Sequence, residues 1–133
     1  MPNQQLEQYN NEITNVLVKL YEPYIDEGRN RELLNKYYYS LKDRYMVVNT
    51  GIENLDSFIP NGKYIRYINL EFPYKTKNII LESGGFVLDD DSDYLMMTNN
   101  KRFWKLKKSK YLIFRKLTEN ELLRLSLENF SFN

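Results

Sequence analysis

The residue types that carry out most enzymatic chemistry are missing from this chain. It contains no histidine and no cysteine, which removes the commonest general bases and nucleophiles. A serine–lysine pair remains, but Ser109 lies directly between Lys108 and Lys110, and adjacent residues of a strand point to opposite faces. The glycine-rich loops that bind phosphates or dinucleotides do not occur either. We therefore predict that the protein is not an enzyme and has no cofactor.

Carboxylates are the remaining reactive groups, and four aspartates cluster in one loop at positions 89, 90, 91 and 93. An EF-hand calcium loop also begins with acidic residues at its first, third and fifth positions. Here, however, the sixth position is Tyr94 where a sharp turn needs glycine, and the twelfth is Asn100 where a bidentate glutamate is needed. We therefore predict a solvated turn and no metal site. A small enzyme that uses these aspartates with Glu71 and Glu82 is the third hypothesis for function.

A basic stretch from Lys101 to Lys116 is the strongest asymmetry of the sequence. Residues 61–133 carry a net charge of +4, from 13 basic and 9 acidic residues, whereas residues 1–60 carry −3, from 6 basic and 9 acidic residues. The stretch contains no acidic residue, and its eight basic residues are the candidate partner-binding residues: Lys101, Arg102, Lys105, Lys107, Lys108, Lys110, Arg115 and Lys116. The aromatic residues interleaved with them are Phe103, Trp104, Tyr111 and Phe114. Cations that contact phosphates, combined with rings that stack on bases, are typical of single-stranded nucleic-acid binding.

Two observations weigh against that function. The whole chain has a net charge of only +1, whereas nucleic-acid-binding domains usually have a clear basic excess. The neighbouring aspartates can also neutralise the basic stretch across a hairpin. In addition, strand alternation places Trp104 on the same face as Leu106 and opposite Phe103 and Lys105, which predicts that Trp104 packs in the core.

Helical periodicity is clearest at the two ends of the chain. Apolar residues recur at helical spacing from Leu6 to Tyr24, and Pro23 ends that helix. A second helix is predicted from about Asn30 to Tyr45, so the two form an antiparallel hairpin. Thr118 and Glu121 have the spacing of a capping box, which predicts a C-terminal helix from about Glu119.

Strand patterns fill the middle of the chain. We predict strands over 63–72, 77–82, 94–98, 101–106 and 111–115, with a two-residue hairpin turn at Asn99-Asn100 and a bulge or bend at Gly84-Gly85. The segment 47–61 fits either a helical turn or a loop pinned by apolar residues. The fold class is therefore α+β, with an N-terminal helical hairpin, an antiparallel sheet of four or five strands and a short C-terminal helix.

The length of 133 residues predicts a single domain. Within it, residues 1–46 form the helical hairpin, residues 62–117 form the sheet and residues 118–130 form the C-terminal helix. The first residues lack a basic region followed by an apolar run, so we expect no signal peptide. We expect no membrane span either.

The content of twelve tyrosines, seven phenylalanines and one tryptophan suits a half-solvated sheet or an interface. The leading hypothesis is therefore a non-catalytic, cytoplasmic protein-interaction module whose contact surface is the aromatic-rich sheet. A nucleic-acid-binding module that uses residues 101–116 is the alternative, and a homo-oligomer is compatible with either. Abundant Asn, Lys, Ile and Tyr are typical of an AT-rich gene, for instance from a phage, a mobile element or a low-GC bacterium, and a phage or mobile-element accessory or particle protein suits this composition.

Overall fold

The computed structural model describes residues 4–21, 28–49, 59–70, 79–91 and 93–128. These residues form three α-helices and a six-stranded antiparallel sheet, which confirms the α+β class. The sheet has six strands where four or five were predicted. In chain order the elements are α1 (Gln4–Tyr21), α2 (Gly28–Leu41), β1 (Tyr45–Asn49), β2 (Tyr64–Asn69), β3 (Gly85–Asp90), β4 (Tyr94–Thr98), β5 (Phe103–Lys107), β6 (Tyr111–Lys116) and α3 (Glu119–Glu128).

The chain divides into two compact units, and the single-domain organisation stays a prediction. The first unit consists of residues 1–46 and 117–133, and the second consists of residues 47–116.

In the first unit, α1 and α2 pack against each other through fully buried residues that include Ile13, Leu17 and Leu41. Asn10 of α1 donates from Nδ2 to Asp43 Oδ1 at 2.7 Å and accepts from the Asp43 backbone N–H at 2.9 Å. These bonds place the first half of α1 beside the end of α2, as an antiparallel hairpin requires.

The second helix ends at Leu41, earlier than the predicted Tyr45. Asp43 adopts a left-handed backbone with φ of 63°, a conformation that an α-helix does not continue through. The following residues enter β1, which the sequence analysis missed because a short apolar run fits a helix end as well as a strand.

The predicted capping box of the C-terminal helix is confirmed. The Glu121 backbone N–H donates to Thr118 Oγ1 at 3.1 Å, and the Thr118 backbone N–H donates to Glu121 Oε1 at 3.0 Å. Each side chain therefore satisfies a backbone donor that the start of the helix leaves without a partner.

The strand order of the sheet is β1-β6-β2-β3-β4-β5. One face, here called the core face, contributes to a buried cluster: Ile59, Ile65, Val87, Leu95, Met97, Leu106 and Ile113. Trp104 is half-buried and packs against this cluster. The sequence therefore assigned Trp104 to the correct face of β5.

Two predicted strand features are corrected. The hairpin turn between β4 and β5 spans Asn99–Arg102 rather than the predicted pair Asn99-Asn100, and Asn100 takes a positive φ of 76°. The predicted strand 77–82 is reduced, among the described residues, to one bridge between Leu81 and Ile68. Pro23 and residues 50–58 of the segment 47–61 lie outside the described residues.

Candidate functional site

The structure distributes the eight basic candidate residues over the β4–β5 turn, β5, a short 3₁₀ helix (Lys108–Lys110) and β6. Six of them are exposed: Lys101, Arg102, Lys105, Lys107, Lys110 and Lys116. Arg115 is half-buried, and Lys108 is only 2% exposed. The exposed cations therefore do not include Lys108, and in the strand order β6, which carries Lys116, is separated from β5 by β2, β3 and β4.

Lys108 is buried because its ammonium group pairs with Asp90 in the interior. Lys108 Nζ lies 2.9 Å from Asp90 Oδ1 and 2.8 Å from Oδ2. The backbone N–H of Ile59 donates to the same carboxylate at 2.9 Å. A buried charge is tolerated only when it is paired and hydrogen-bonded in this way. Lys108 is consequently unavailable to a phosphate or to any other partner at this surface, which corrects its assignment to the binding set.

A β-bulge at Leu88 places Asp90, rather than Asp89, in this buried pair. Val87 and Asp89 face consecutive residues of β4, so Leu88 is an extra residue in β3. Simple alternation from buried Val87 would send Asp89 inward and Asp90 outward. The extra residue reverses this, so that Asp90 is opposite buried Leu95 and points to the core face. The remaining aspartates of the loop that the structure describes stay exposed.

The opposite face of β3, β4 and β5, here called the outer face, carries a row of aromatic residues. Tyr64 pairs with Phe86, Phe86 with Thr98, and Thr98 with Phe103, so these four side chains lie side by side across four strands. The rings of Tyr64 and Phe86 meet edge to face with centroids 5.1 Å apart. The Tyr64 hydroxyl donates to the carbonyl of Ser83. Phe86 is 42% exposed and Phe103 is 73% exposed.

The next positions on the outer face mix apolar and basic groups. Met96 is opposite Lys105, Tyr94 is opposite Lys107, and the bulged Leu88 is exposed. The Lys105 ammonium lies 4.9 Å from the centre of the Tyr94 ring, a cation–π contact. The outer face is therefore an aromatic and aliphatic strip bordered by lysines.

A groove of about 220 Å³ adjoins Phe103 where the segment 82–84 meets the β4–β5 turn. Gly84 has φ of +81°, and a side chain there would collide with the carbonyl oxygen of Ile65. Gly85 leaves room for the Trp104 ring, whose nearest atom would lie 2.8 Å from an added Cβ. The bulge of β3 lies at Leu88 and not at this glycine pair, where the positive φ of Gly84 and the missing side chains permit close packing.

Trp104 is held in the wall of this groove by Tyr67. Trp104 Nε1 donates to the Tyr67 hydroxyl at 3.1 Å. Burial raises the pKa of Tyr67 above its usual value of 10.0, and the bond from Trp104 partly opposes that rise. Tyr67 therefore serves as a neutral hydrogen-bond acceptor at neutral pH.

Two other kinds of site are absent from the described part of the chain. It holds no group of three or more acidic residues placed to bind a metal ion. It also holds no helix whose length and apolar character would let it cross a bilayer.

The sequence analysis missed both the aromatic row and the buried pair. The row had a readable signal, because Phe86 and Leu88 alternate with Val87 just as Phe103 and Lys105 alternate with Trp104. The Asp90–Lys108 pair had none, because it depends on a bulge that the sequence does not mark.

No family model, curated protein or solved structure matches this chain. The proposals for function therefore rest on the geometry of the surface.

Proposed function

We propose that the protein is a non-catalytic protein-interaction module that binds its partner with the outer face of β3, β4 and β5. The observation that carries this proposal is the exposure of the Phe86 and Phe103 rings, which Thr98 of β4 joins into one row across these strands. Phe86, Leu88 and Phe103 are between 41% and 73% exposed on one continuous face. Clustered apolar exposure of this kind marks interaction sites, whereas single exposed apolar residues are ordinary.

The chemistry of the outer face suits a protein partner. Aromatic residues, methionine and arginine are enriched in protein interfaces, and this face and its border supply Phe103, Met96 and Arg102. Burial of one phenylalanine side chain is worth about 1.5–3 kcal/mol. Because cross-strand pairing already fixes the backbone of these residues, little conformational entropy is lost when a partner binds.

Binding of single-stranded nucleic acid on the same face is the second candidate. Phe103 is the most exposed ring of the sheet and lies between the exposed cations Arg102 and Lys105. This arrangement suits a stacked base with a neighbouring phosphate. We favour the protein partner because Asp90 neutralises Lys108 and because the carbonyl of exposed Asp93 accepts from the Lys108 N–H, next to Lys107 of β5.

The proposed setting is the cytoplasm, which the absence of cysteine suits. A phage or mobile-element accessory or particle protein remains our proposal for its origin, supported by composition alone.

Affinity capture from cells of the source organism tests the proposal. Three tagged proteins are compared: the wild type, a Phe86→Ser/Phe103→Ser variant, and a Tyr39→Ser control. Tyr39 is a matched control because it is 73% exposed, like Phe103, but lies on α2. Each capture is repeated after nuclease treatment, and thermal melting checks that each protein is folded.

The proposal predicts that one protein is retained by the wild type and by Tyr39→Ser, withstands nuclease, and is lost with the double variant. Release of the bound material by nuclease would favour the nucleic-acid candidate. Equal capture by all three proteins would contradict a role for the outer face.

A further inference from the structure

We infer that β5 is an acceptor edge for an acidic, extended segment of a partner protein, which adds to the sheet as a seventh strand. This inference rests on the proposed protein-binding function and names the chemistry of the partner. Strand addition at a sheet edge is a recurrent form of peptide recognition, in which main-chain hydrogen bonds supply affinity and alternate side chains supply specificity.

The first observation is that β5 lies at the end of the sheet. In the strand order β1-β6-β2-β3-β4-β5, it pairs with β4 on one side. No strand of the described ranges flanks its other side. An edge strand presents a row of backbone donors and acceptors to an incoming chain.

The second observation identifies which backbone groups face that open edge. The Asn99 N–H donates to the Arg102 carbonyl at one end of the β4–β5 ladder, at 3.3 Å, and the Lys108 N–H donates to the Asp93 carbonyl at the other end, at 2.9 Å. Hydrogen-bonded and non-hydrogen-bonded pairs alternate along an antiparallel ladder. The intervening hydrogen-bonded pairs are therefore 95 with 106 and 97 with 104.

The non-hydrogen-bonded pairs place Phe103, Lys105 and Lys107 opposite β4 residues with which they exchange no backbone bonds. The N–H and C=O groups of these three residues therefore point away from β4, toward the open edge. An incoming strand finds three donors and two acceptors in the spacing of a sheet ladder, because the Lys107 carbonyl, at the N-cap of the 3₁₀ helix Lys108–Lys110, accepts the first hydrogen bond of that helix.

The side chains of the same three residues set the composition of the incoming segment. Phe103, Lys105 and Lys107 are exposed and project from the outer face, because Trp104 and Leu106 face the core. Residues paired opposite them carry their side chains on that same face. The complementary segment has acidic residues opposite Lys105 and Lys107 and an apolar residue opposite Phe103.

A second copy of this chain does not fit the edge. Antiparallel pairing of β5 with itself, centred on Lys105, places Lys105 opposite Lys105 and Phe103 opposite Lys107. A shift by two residues places Lys105 opposite Lys107 in one direction and Phe103 opposite Lys105 in the other, and neither register pairs Phe103 with an apolar residue. Like charges that lie directly opposite each other destabilise a strand pair, and lysines on an edge strand oppose self-association. The same lysines that exclude self-pairing attract an acidic strand.

Fluorescence anisotropy with a defined probe tests the inference. The probe is a fluorescein-labelled peptide in which glutamate alternates with valine, except that the residue to be paired with Phe103 is also valine. One control peptide has the same charge but carries N-methyl groups on alternate backbone nitrogens, and a second has lysine in place of glutamate. We expect both controls to bind wild-type protein at least about tenfold more weakly, because each loses several favourable pairings.

Two substitutions at one position separate the backbone contact from the charge. Lys105→Ala removes the ammonium and keeps the outward N–H, whereas Lys105→Pro removes both. Proline is tolerated on an edge strand where the N–H faces away from the ladder. The peptide should bind Lys105→Pro about tenfold more weakly than Lys105→Ala.

Hydrogen exchange of the wild-type amides gives a readout that does not depend on how the proline variant folds. Without peptide, the amides of Phe103, Lys105 and Lys107 should exchange rapidly while those of Trp104 and Leu106 are protected. Saturating peptide should protect the first three.

Unchanged exchange at these three amides, or binding that the N-methylated peptide matches, would overturn the edge inference. Loss of captured partner with Phe86→Ser/Phe103→Ser would then still support the proposed function through the outer face. Sedimentation that shows a dimer of the wild type, abolished by Lys105→Pro, would overturn the inference in favour of a second copy.

Discussion

At the scale of single residues, the Asp90–Lys108 pair links the fold to the candidate surface. The pair is almost wholly removed from solvent, with side-chain exposures of 0% and 3%, and its ammonium-to-carboxylate distance is 2.8 Å. Because both charges are buried, each group depends on the other, and the Ile59 N–H supplies a further bond to Asp90. The pair therefore fixes the 3₁₀ helix against the end of β3, beside the exposed lysines of β5.

Removal of one charged side chain of the Asp90–Lys108 pair should lower the free energy of unfolding. Lys108→Ala leaves the Asp90 carboxylate buried without its counter-ion, and loss of one member of a buried pair typically costs 3–5 kcal/mol, so we expect a loss of about that size. Urea denaturation measures it, with exposed Lys107→Ala as the control, which should change stability by less than about 0.5 kcal/mol. Equal urea midpoints for the two variants would refute the structural role of the pair.

Tyr67 gives a pH-dependent prediction. Burial raises the pKa of Tyr67 in the folded state above 10.0, its ordinary value, so the unfolded chain releases this proton first. The stability that comes from neutral Tyr67 is therefore complete below about pH 10 and is lost as the pH rises toward the folded-state pKa.

Tyr67→Phe should lose less stability than the wild type between about pH 9 and pH 11, because phenylalanine cannot ionise. Paired urea titrations at the two pH values measure this difference, and the other tyrosines act as a common background in both proteins. At neutral pH the free energy of unfolding of Tyr67→Phe should be lower than that of the wild type, because Trp104 Nε1 loses its acceptor. Parallel pH profiles of the two proteins would contradict the raised pKa.

At the scale of elements, the start of α3 and the end of β3 are fixed by two different kinds of interaction. The start of α3 depends on the reciprocal hydrogen bonds of Thr118 and Glu121, which are local in sequence. The end of β3 depends on a bulge and on a pair with Lys108, eighteen residues away. The capping bonds at the start of α3 can therefore be tested by one substitution without effects elsewhere in the chain.

Thr118→Ala should lower the free energy of unfolding by about 1 kcal/mol, because the Glu121 N–H loses its side-chain acceptor at the helix start. Ser126→Ala is the matched control, since Ser126 is exposed within the same helix. Guanidinium denaturation compares the two, and an unchanged midpoint for Thr118→Ala would count against the capping box.

Elements with a strong local pattern were predictable. The apolar spacing of α1, the capping box of α3 and the limits of β4 all follow from residues within one element. The β1 strand was not predictable, because its apolar residues directly follow the helical pattern of α2 and only the left-handed backbone at Asp43 separates them.

The candidate site was predictable to a similar degree. The exposed positions of Lys105 and Lys107 and the core orientation of Trp104 follow from alternation within β5. Burial of Lys108 does not, because it is decided by the bulge in β3, and cross-strand alignment of Phe86 with Phe103 requires the register of three strands. Register depends on contacts between distant segments, which a single sequence does not show.

At the scale of the whole molecule, charge separates the two candidate functions. The net charge is +1, and the exposed cations near β5 are accompanied by exposed aspartates. Nucleic-acid affinity comes largely from counterion release at phosphates, whereas apolar burial depends much less on salt.

We therefore expect no salt-sensitive binding of single-stranded DNA or RNA at physiological ionic strength. A gel-shift titration over several salt concentrations measures it, with a variant in which Lys105 and Lys107 are both alanine as the comparison. Sub-micromolar binding that this variant abolishes while its fold is intact would favour the nucleic-acid candidate.

The central claim is that the outer face of β3–β5 binds a protein, and calorimetric titration of the captured partner tests it most directly. Loss of two apolar contacts worth about 1.5–3 kcal/mol each should weaken binding by Phe86→Ser/Phe103→Ser more than about a hundredfold. Tyr39→Ser should bind like the wild type. Equal affinity of the double variant and the wild type, with both folded, would contradict the account.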